Sequence, residues 1–107
     1  MNKYKIQLTP RTRASITRIV DQLEEEVSKT TAQHVQKGIM DTIRKLETFP
    51  EAHKVFEEIS TEQVIYRQVY KWKYKIVFTV DNDKLEVVVV KVYHGRRGSE
   101  WVEDQFK

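Results

Sequence analysis

Two stretches near the C-terminal end decide the fold: Tyr74-Lys75-Ile76-Val77-Phe78-Thr79-Val80 and Leu85-Glu86-Val87-Val88-Val89-Val90-Lys91-Val92-Tyr93. Both are rich in β-branched and aromatic residues, which favour extended chain. Between them lies Asp81-Asn82-Asp83-Lys84, a run of turn formers. The pattern predicts a β-hairpin with a four-residue loop. In the first strand Tyr74, Ile76, Phe78 and Val80 share one face, and Lys75, Val77 and Thr79 the other. The second strand is apolar on both faces through Val87, Val88, Val89 and Val90, which predicts burial on both sides and a central place in a sheet. It leads into Tyr93-His94-Gly95-Arg96-Arg97. A central strand is a rigid support, so this basic exit is the first candidate for a functional site, with Gly95 and Gly98 freeing the backbone.

Upstream, Val64-Ile65-Tyr66-Arg67-Gln68-Val69-Tyr70 reads as a further strand and Lys71-Trp72-Lys73 as its turn into the hairpin. Residues 51–61 form an irregular connection, anchored by Val55, Phe56 and Ile59. Before it come two helices. Thr9-Pro10 is a start signal, threonine at the N-cap and proline at the first helical position. Ile16, Ile19, Val20, Leu23 and Val27 make the apolar stripe of the first helix. Ser28-Lys29-Thr30-Thr31 breaks it and caps the second, whose stripe is Ala32, Val35, Ile39, Ile43 and Leu46. Gly38 lets the two helices approach closely, and the second helix stops at Phe49-Pro50. The chain opens with an alternating strand, Lys3-Tyr4-Lys5-Ile6-Gln7-Leu8. The layout is β-α-α-β-β-β: an α+β fold with an N-terminal strand, an α-helical hairpin, and an antiparallel sheet of three further strands.

The length of 107 residues predicts one domain spanning 1–107. There is no cysteine. That excludes a disulfide framework, a thiolate nucleophile and a thiolate metal site, and fits a cytoplasmic protein. No stretch has the length and apolarity of a signal peptide or a membrane span, so no membrane partner is expected. The net charge is only +3, but it is unevenly placed. From Val64 to Arg97 eight basic residues (Arg67, Lys71, Lys73, Lys75, Lys84, Lys91, Arg96, Arg97) face three acids, Asp81, Asp83 and Glu86, all in or beside the hairpin loop. A locally positive sheet suits an anionic partner. Lys3, Lys5 and Lys75 are better read as solvated lysines that protect sheet edges.

Five segments in this order resemble the RelE/ParE superfamily of bacterial toxins from type II toxin–antitoxin pairs. They are the strand Tyr4-Lys5-Ile6-Gln7-Leu8 running into Thr9-Pro10, the helix pair closing on Leu46-Glu47-Thr48-Phe49-Pro50, the strand Tyr66-Arg67-Gln68-Val69 with its lone arginine, the strand Tyr74-Lys75-Ile76-Val77-Phe78, and Val92-Tyr93-His94-Gly95-Arg96-Arg97. The resemblance covers nearly the whole chain. It implies a cognate antitoxin partner, no cofactor and no metal. It also implies one of two activities. RelE-like members are ribosome-dependent endoribonucleases that cut mRNA; ParE-like members bind and block DNA gyrase and lack the nuclease residues.

The basic residues favour the nuclease slightly. Metal-free RNA cleavage needs a proton carrier and positive charge about the phosphate. His94 is the best proton carrier by residue type, since the unperturbed pKa of histidine lies near neutrality. Arg67 and Arg96, with Arg97, carry the forked geometry that grips phosphate. The resemblance places Arg67 at the sheet arginine of the nucleases and Arg96 or Arg97 at their basic position after the last strand. Lys71 and Lys73 are candidates for neighbouring phosphates, and Trp72 or Trp101 for stacking on a base. The catalytic set expected is therefore His94, Arg67 and Arg96, with Arg97, Lys71, Lys73 and Trp101 binding substrate. One departure stands against it. Ser99-Glu100-Trp101-Val102-Glu103-Asp104-Gln105-Phe106-Lys107 holds three acids and no tyrosine. In the gyrase reading His94 is structural and the arginines contact gyrase or the antitoxin. A third reading is a non-toxic module that only binds the antitoxin. An arginine amid Ile65, Tyr66 and Val69 needs a partner, either substrate or an internal acid such as Glu57 or Glu58. His34 and His53 read as surface residues.

Overall fold

The structure, a computed structural model, describes residues 3–95. A short strand β1 (Lys5–Leu8) leads into helices α1 (Pro10–Glu26) and α2 (Lys29–Arg44). Strands β2 (Arg67–Lys71), β3 (Tyr74–Asp81) and β4 (Glu86–His94) follow. They form one sheet in the order β1-β4-β3-β2. The last three strands are antiparallel, as expected, and β1 pairs parallel to β4, Lys5 opposite Glu86 and Leu8 opposite Val89.

The helix starts are those expected. Thr9 accepts a hydrogen bond from the amide of Thr12 at 3.1 Å, and Ser28 one from Thr31 at 3.0 Å. Each satisfies an amide that the first turn leaves unpaired. The first cap is also a weld: the Thr12 hydroxyl donates to the Val89 carbonyl at 2.8 Å, and the Thr9 amide to the same oxygen at 3.2 Å. The end of α2 differs from the expectation. It stops at Arg44, tightens into a 3-10 turn over Lys45–Glu47, and reaches Pro50 only through Phe49 in the left-handed region, φ 53°. The residue before a proline is disfavoured in right-handed helical geometry, and Phe49 lies outside it.

Two apolar layers cover the sheet. Ile16, Ile39, Ile43 and Leu46 of the helical side pack on Ile76, Phe78, Val87, Val89 and Val92. On the opposite face Phe56 packs on Val77 and Tyr93, with Ile59, Tyr66 and Val90 around them. Strand β4 is therefore inner and covered on both sides. The expected face sharing of β3 holds, with a refinement in β4. Val77 pairs with Lys91 but Phe78 pairs with Val89, so Val90 is an extra residue in a bulge. The bulge lets Val87, Val89 and Val92 all face the helices despite their odd spacing.

Strand β2 begins three residues later than the sequence pattern suggests. Val64 and Ile65 are 39% and 47% exposed. The amide of Phe56 donates to the Tyr66 carbonyl at 2.7 Å and that of Gln68 to the Lys54 carbonyl at 2.9 Å. The connection thus lies along the outer edge of β2 before folding over the second face. Phe56, expected as an anchor, is fully buried there.

Candidate functional site

The hairpin of β2 and β3 has two ends, and the candidate residues divide between them. Arg67 lies at the open end, opposite Phe78. His94 lies at the turn end, opposite Tyr74 on the other side of β3. Four residues of strand separate the two positions lengthwise, about 13 Å, and two strand spacings separate them crosswise, about 10 Å. One phosphate cannot be shared across that span.

Arg67 is taken up by the fold. Its Nη1 donates to the carbonyl of His53 at 2.9 Å and to that of Glu51 at 3.1 Å. Its Nη2 lies 3.9 Å from the Glu51 carboxylate, with only 19% of the side chain exposed. The internal acid is therefore Glu51, in place of the Glu57 or Glu58 expected. The guanidinium staples the Pro50–Ala52 turn to β2. His53, expected at the surface, is drawn in beside it. Its ring meets Phe78 edge-on at 5.9 Å. Burial and then the charge of Arg67 hold its pKa below the ordinary histidine value.

The turn end gathers Lys71, Lys73 and His94 with residues the sequence reading passed over. The imidazole of His94 meets the ring of Tyr74 edge-on at 5.8 Å. Gly95 is needed for space rather than for backbone freedom. A Cβ there would lie 2.6 Å from the Tyr70 ring and 3.0 Å from the Lys73 carbonyl, which accepts the Gly95 amide at 2.6 Å. At the turn itself Trp72 has φ 53°, a conformation that bulky side chains rarely adopt. Its ring rests on Gly38 of α2, where an added Cβ would come within 2.3 Å. Gly38 thus seats Trp72 rather than bringing the helices together. The ring of His34, exposed as expected, lies 5.1 Å from it, and Lys71 Nζ lies 4.6 Å from its centre. Trp72 remains 48% exposed and Tyr70 50%. Arg96, Arg97, Gly98 and Trp101 lie outside the described residues.

Lys75 corrects another expectation. It is not a solvated edge residue but 9% exposed. Its ammonium stands 3.5 Å from the Phe56 ring centre and 5.7 Å from that of Tyr70, a cation–π arrangement. Burial lowers its pKa, Glu58 opposes this, and Lys54 adds to it. Beside it, burial raises the pKa of the Tyr93 phenol, with Tyr70 and Glu58 adding to the shift. Alternation correctly put Lys75 on the second face. Only the covering connection, irregular in sequence, makes that face an interior.

The sheet order, the helical hairpin and its placement are those of RelE/ParE-like folds. A toxin–antitoxin structure of the chromosomal ParDE system from P. aeruginosa superposes with TM-score 0.68 at 14% identity, covering 86% of this chain and 96% of that one. A RelBE complex from Mycobacterium tuberculosis gives 0.63 at 13%, covering 88% and 93%. An archaeal RelE–RelB complex from Pyrococcus horikoshii gives 0.61 at 11%, covering 90% and 99%. No curated protein matches. At this identity the superpositions speak for the fold alone. The family described as "ParE toxin of type II toxin-antitoxin system, parDE" matches residues 6–98, and the chain belongs to it.

Proposed function

We propose that the protein arrests growth by binding DNA gyrase, as ParE-like toxins do, and does not cleave RNA. The observation that carries this reading is the fate of Arg67. A nuclease of this fold would aim that guanidinium at the scissile phosphate, together with the proton carrier. Here it is spent on Glu51 and two carbonyls, on the order of a strand length away from His94. The ParE family match points the same way. The third reading, a non-toxic module, predicts no growth arrest.

A cognate antitoxin is the second partner in this reading. A cleft of about 610 Å³ between β1 and α2 is lined by Tyr4, Ile6, Leu8, Met40 and Ile43, with Lys5, Arg13, Arg44 and Glu47 at its rim. Its apolar floor and mainly basic rim suit an amphipathic, acid-containing segment that folds on binding. The deciding experiment pairs two assays on the purified chain. Gyrase supercoiling should be inhibited, and ribosome-bound mRNA should stay intact. Cuts in mRNA, abolished in Arg67→Ala at unchanged folding, would overturn the proposal.

A further inference from the structure

We infer that the β2–β3 turn is the surface that contacts the target, with Trp72 as its anchor and an acidic protein surface as its partner. The inference rests on the target-binding reading above, and it moves the contact from the exit of β4, where the sequence alone suggests it, to the turn beside it.

Three observations carry it. The first is the cost of the arrangement. An indole is held in a left-handed backbone position at a tight turn where glycine or asparagine would be at ease, and it sits half exposed over a glycine that leaves room for nothing else. The ring lies against α2 with about half of its surface open, and a positioned, half-exposed aromatic is what a protein interface uses as an anchor. The second is composition. No acidic residue occurs between Glu62 and Asp81, while Tyr70 and Trp72 alternate with Lys71 and Lys73. Tyrosine and tryptophan are enriched in interface cores, and lysines around them suit the polar rim, where charge complementary to an acidic partner steers association.

The third is the cleft beside the anchor. About 410 Å³ in volume, it is lined by Gly38, Asp41, Thr42, Arg44, Lys45, Glu47 and Lys71. Its two acids are already engaged, Asp41 by Arg44 and Glu47 by Lys3. Lys45 and Lys71 have no ion-pair partner among the described residues. The cleft therefore offers two cations with no carboxylate partner among the described residues, Lys71 over the indole and Lys45 further along the lining. A carboxylate-bearing segment satisfies both. A nucleobase is a poorer fit, because Lys71 already occupies the space over the ring.

The test uses the full chain, Trp72→Ala, Gly38→Ala, and the double variant Lys71→Glu/Lys73→Glu. Trp72→Ala should bind purified gyrase about 30-fold or more weakly, the loss typical of an interface anchor, and lose growth arrest. It should still fold and still capture the antitoxin. Gly38→Ala should show the same loss with the indole intact, because its methyl displaces the ring. The charge reversal should weaken binding and flatten its salt dependence. Gyrase binding by Trp72→Ala equal to wild type overturns the inference. So does equal loss of the antitoxin, or quenching of Trp72 fluorescence by a single-stranded oligothymidylate. If wild type leaves gyrase untouched, the proposed function falls instead. Growth arrest then judges the turn alone: arrest that disappears in Trp72→Ala supports it, and arrest that persists overturns it.

Discussion

The two ends of the β2–β3 hairpin both carry cations, and they are opposite in kind. At the open end Arg67 is closed in: two backbone carbonyls, an ion pair with Glu51 and the neighbouring His53 surround it. At the turn end Lys71, Lys73 and Trp72 face outward, and the backbone there takes on strain to hold them. A basic residue in a strand is thus no marker of function by itself. What distinguishes the ends is whether the charge has acceptors inside the fold.

The comparison breaks most easily at Arg67. Arg67→Met should destabilise the protein by about 1.5–3 kcal/mol, since two backbone carbonyls, one of them part-buried, lose a charged donor. Urea unfolding measures it. An unchanged midpoint with lost toxicity would make Arg67 a functional cation after all. At the turn end, Gly95→Ala should cost about 1–2 kcal/mol through overpacking against the Tyr70 ring and the Lys73 carbonyl. A silent substitution there would mean that the end of β4 is looser than described.

Smaller effects sharpen the contrast. Because the folded state holds the His53 pKa below its unfolded value, the native protein binds fewer protons there. Stability from this group is full above about pH 6.5. It declines as the pH falls through that value toward the lower folded one. His53→Gln should flatten the urea midpoint between pH 7 and pH 5. Smallest of all is Lys73→Gln, expected to change stability by less than about 0.5 kcal/mol, as exposed substitutions do. A larger change by calorimetry would mean that Lys73 has an internal role.

Much of the fold was legible in the sequence because each signal has a local cause. Thr9-Pro10 caps, Asp81 turns the chain by accepting the amides of Asp83 and Lys84 at 3.0 Å, and alternation in β3 sorts its faces. What was not legible depends on distant partners. The pairing of β1 cannot be read from β1, whose pattern gives only its faces. Val64 and Ile65 have strand propensity but stay exposed outside β2. Of the candidate site, the nearness of Lys71, Lys73 and His94 at one end of the hairpin was legible, since the strand order of the hairpin sets it. The internal contacts of Arg67 were not, because its acceptors are backbone carbonyls 14 and 16 residues away. The left-handed turn at Trp72 was not legible either, because tryptophan announces no such turn.

The parallel pairing of β1 with β4 has a consequence for biosynthesis. Among the described residues the first strand pairs only with β4, some eighty residues further on. While the chain is emerging from the ribosome, both helices can coil and the β2–β3 hairpin can close, yet the edge of β1 stays unmatched until β4 is made. A partly translated toxin therefore lacks its finished sheet, and the cell meets the complete surface only once β4 has been made.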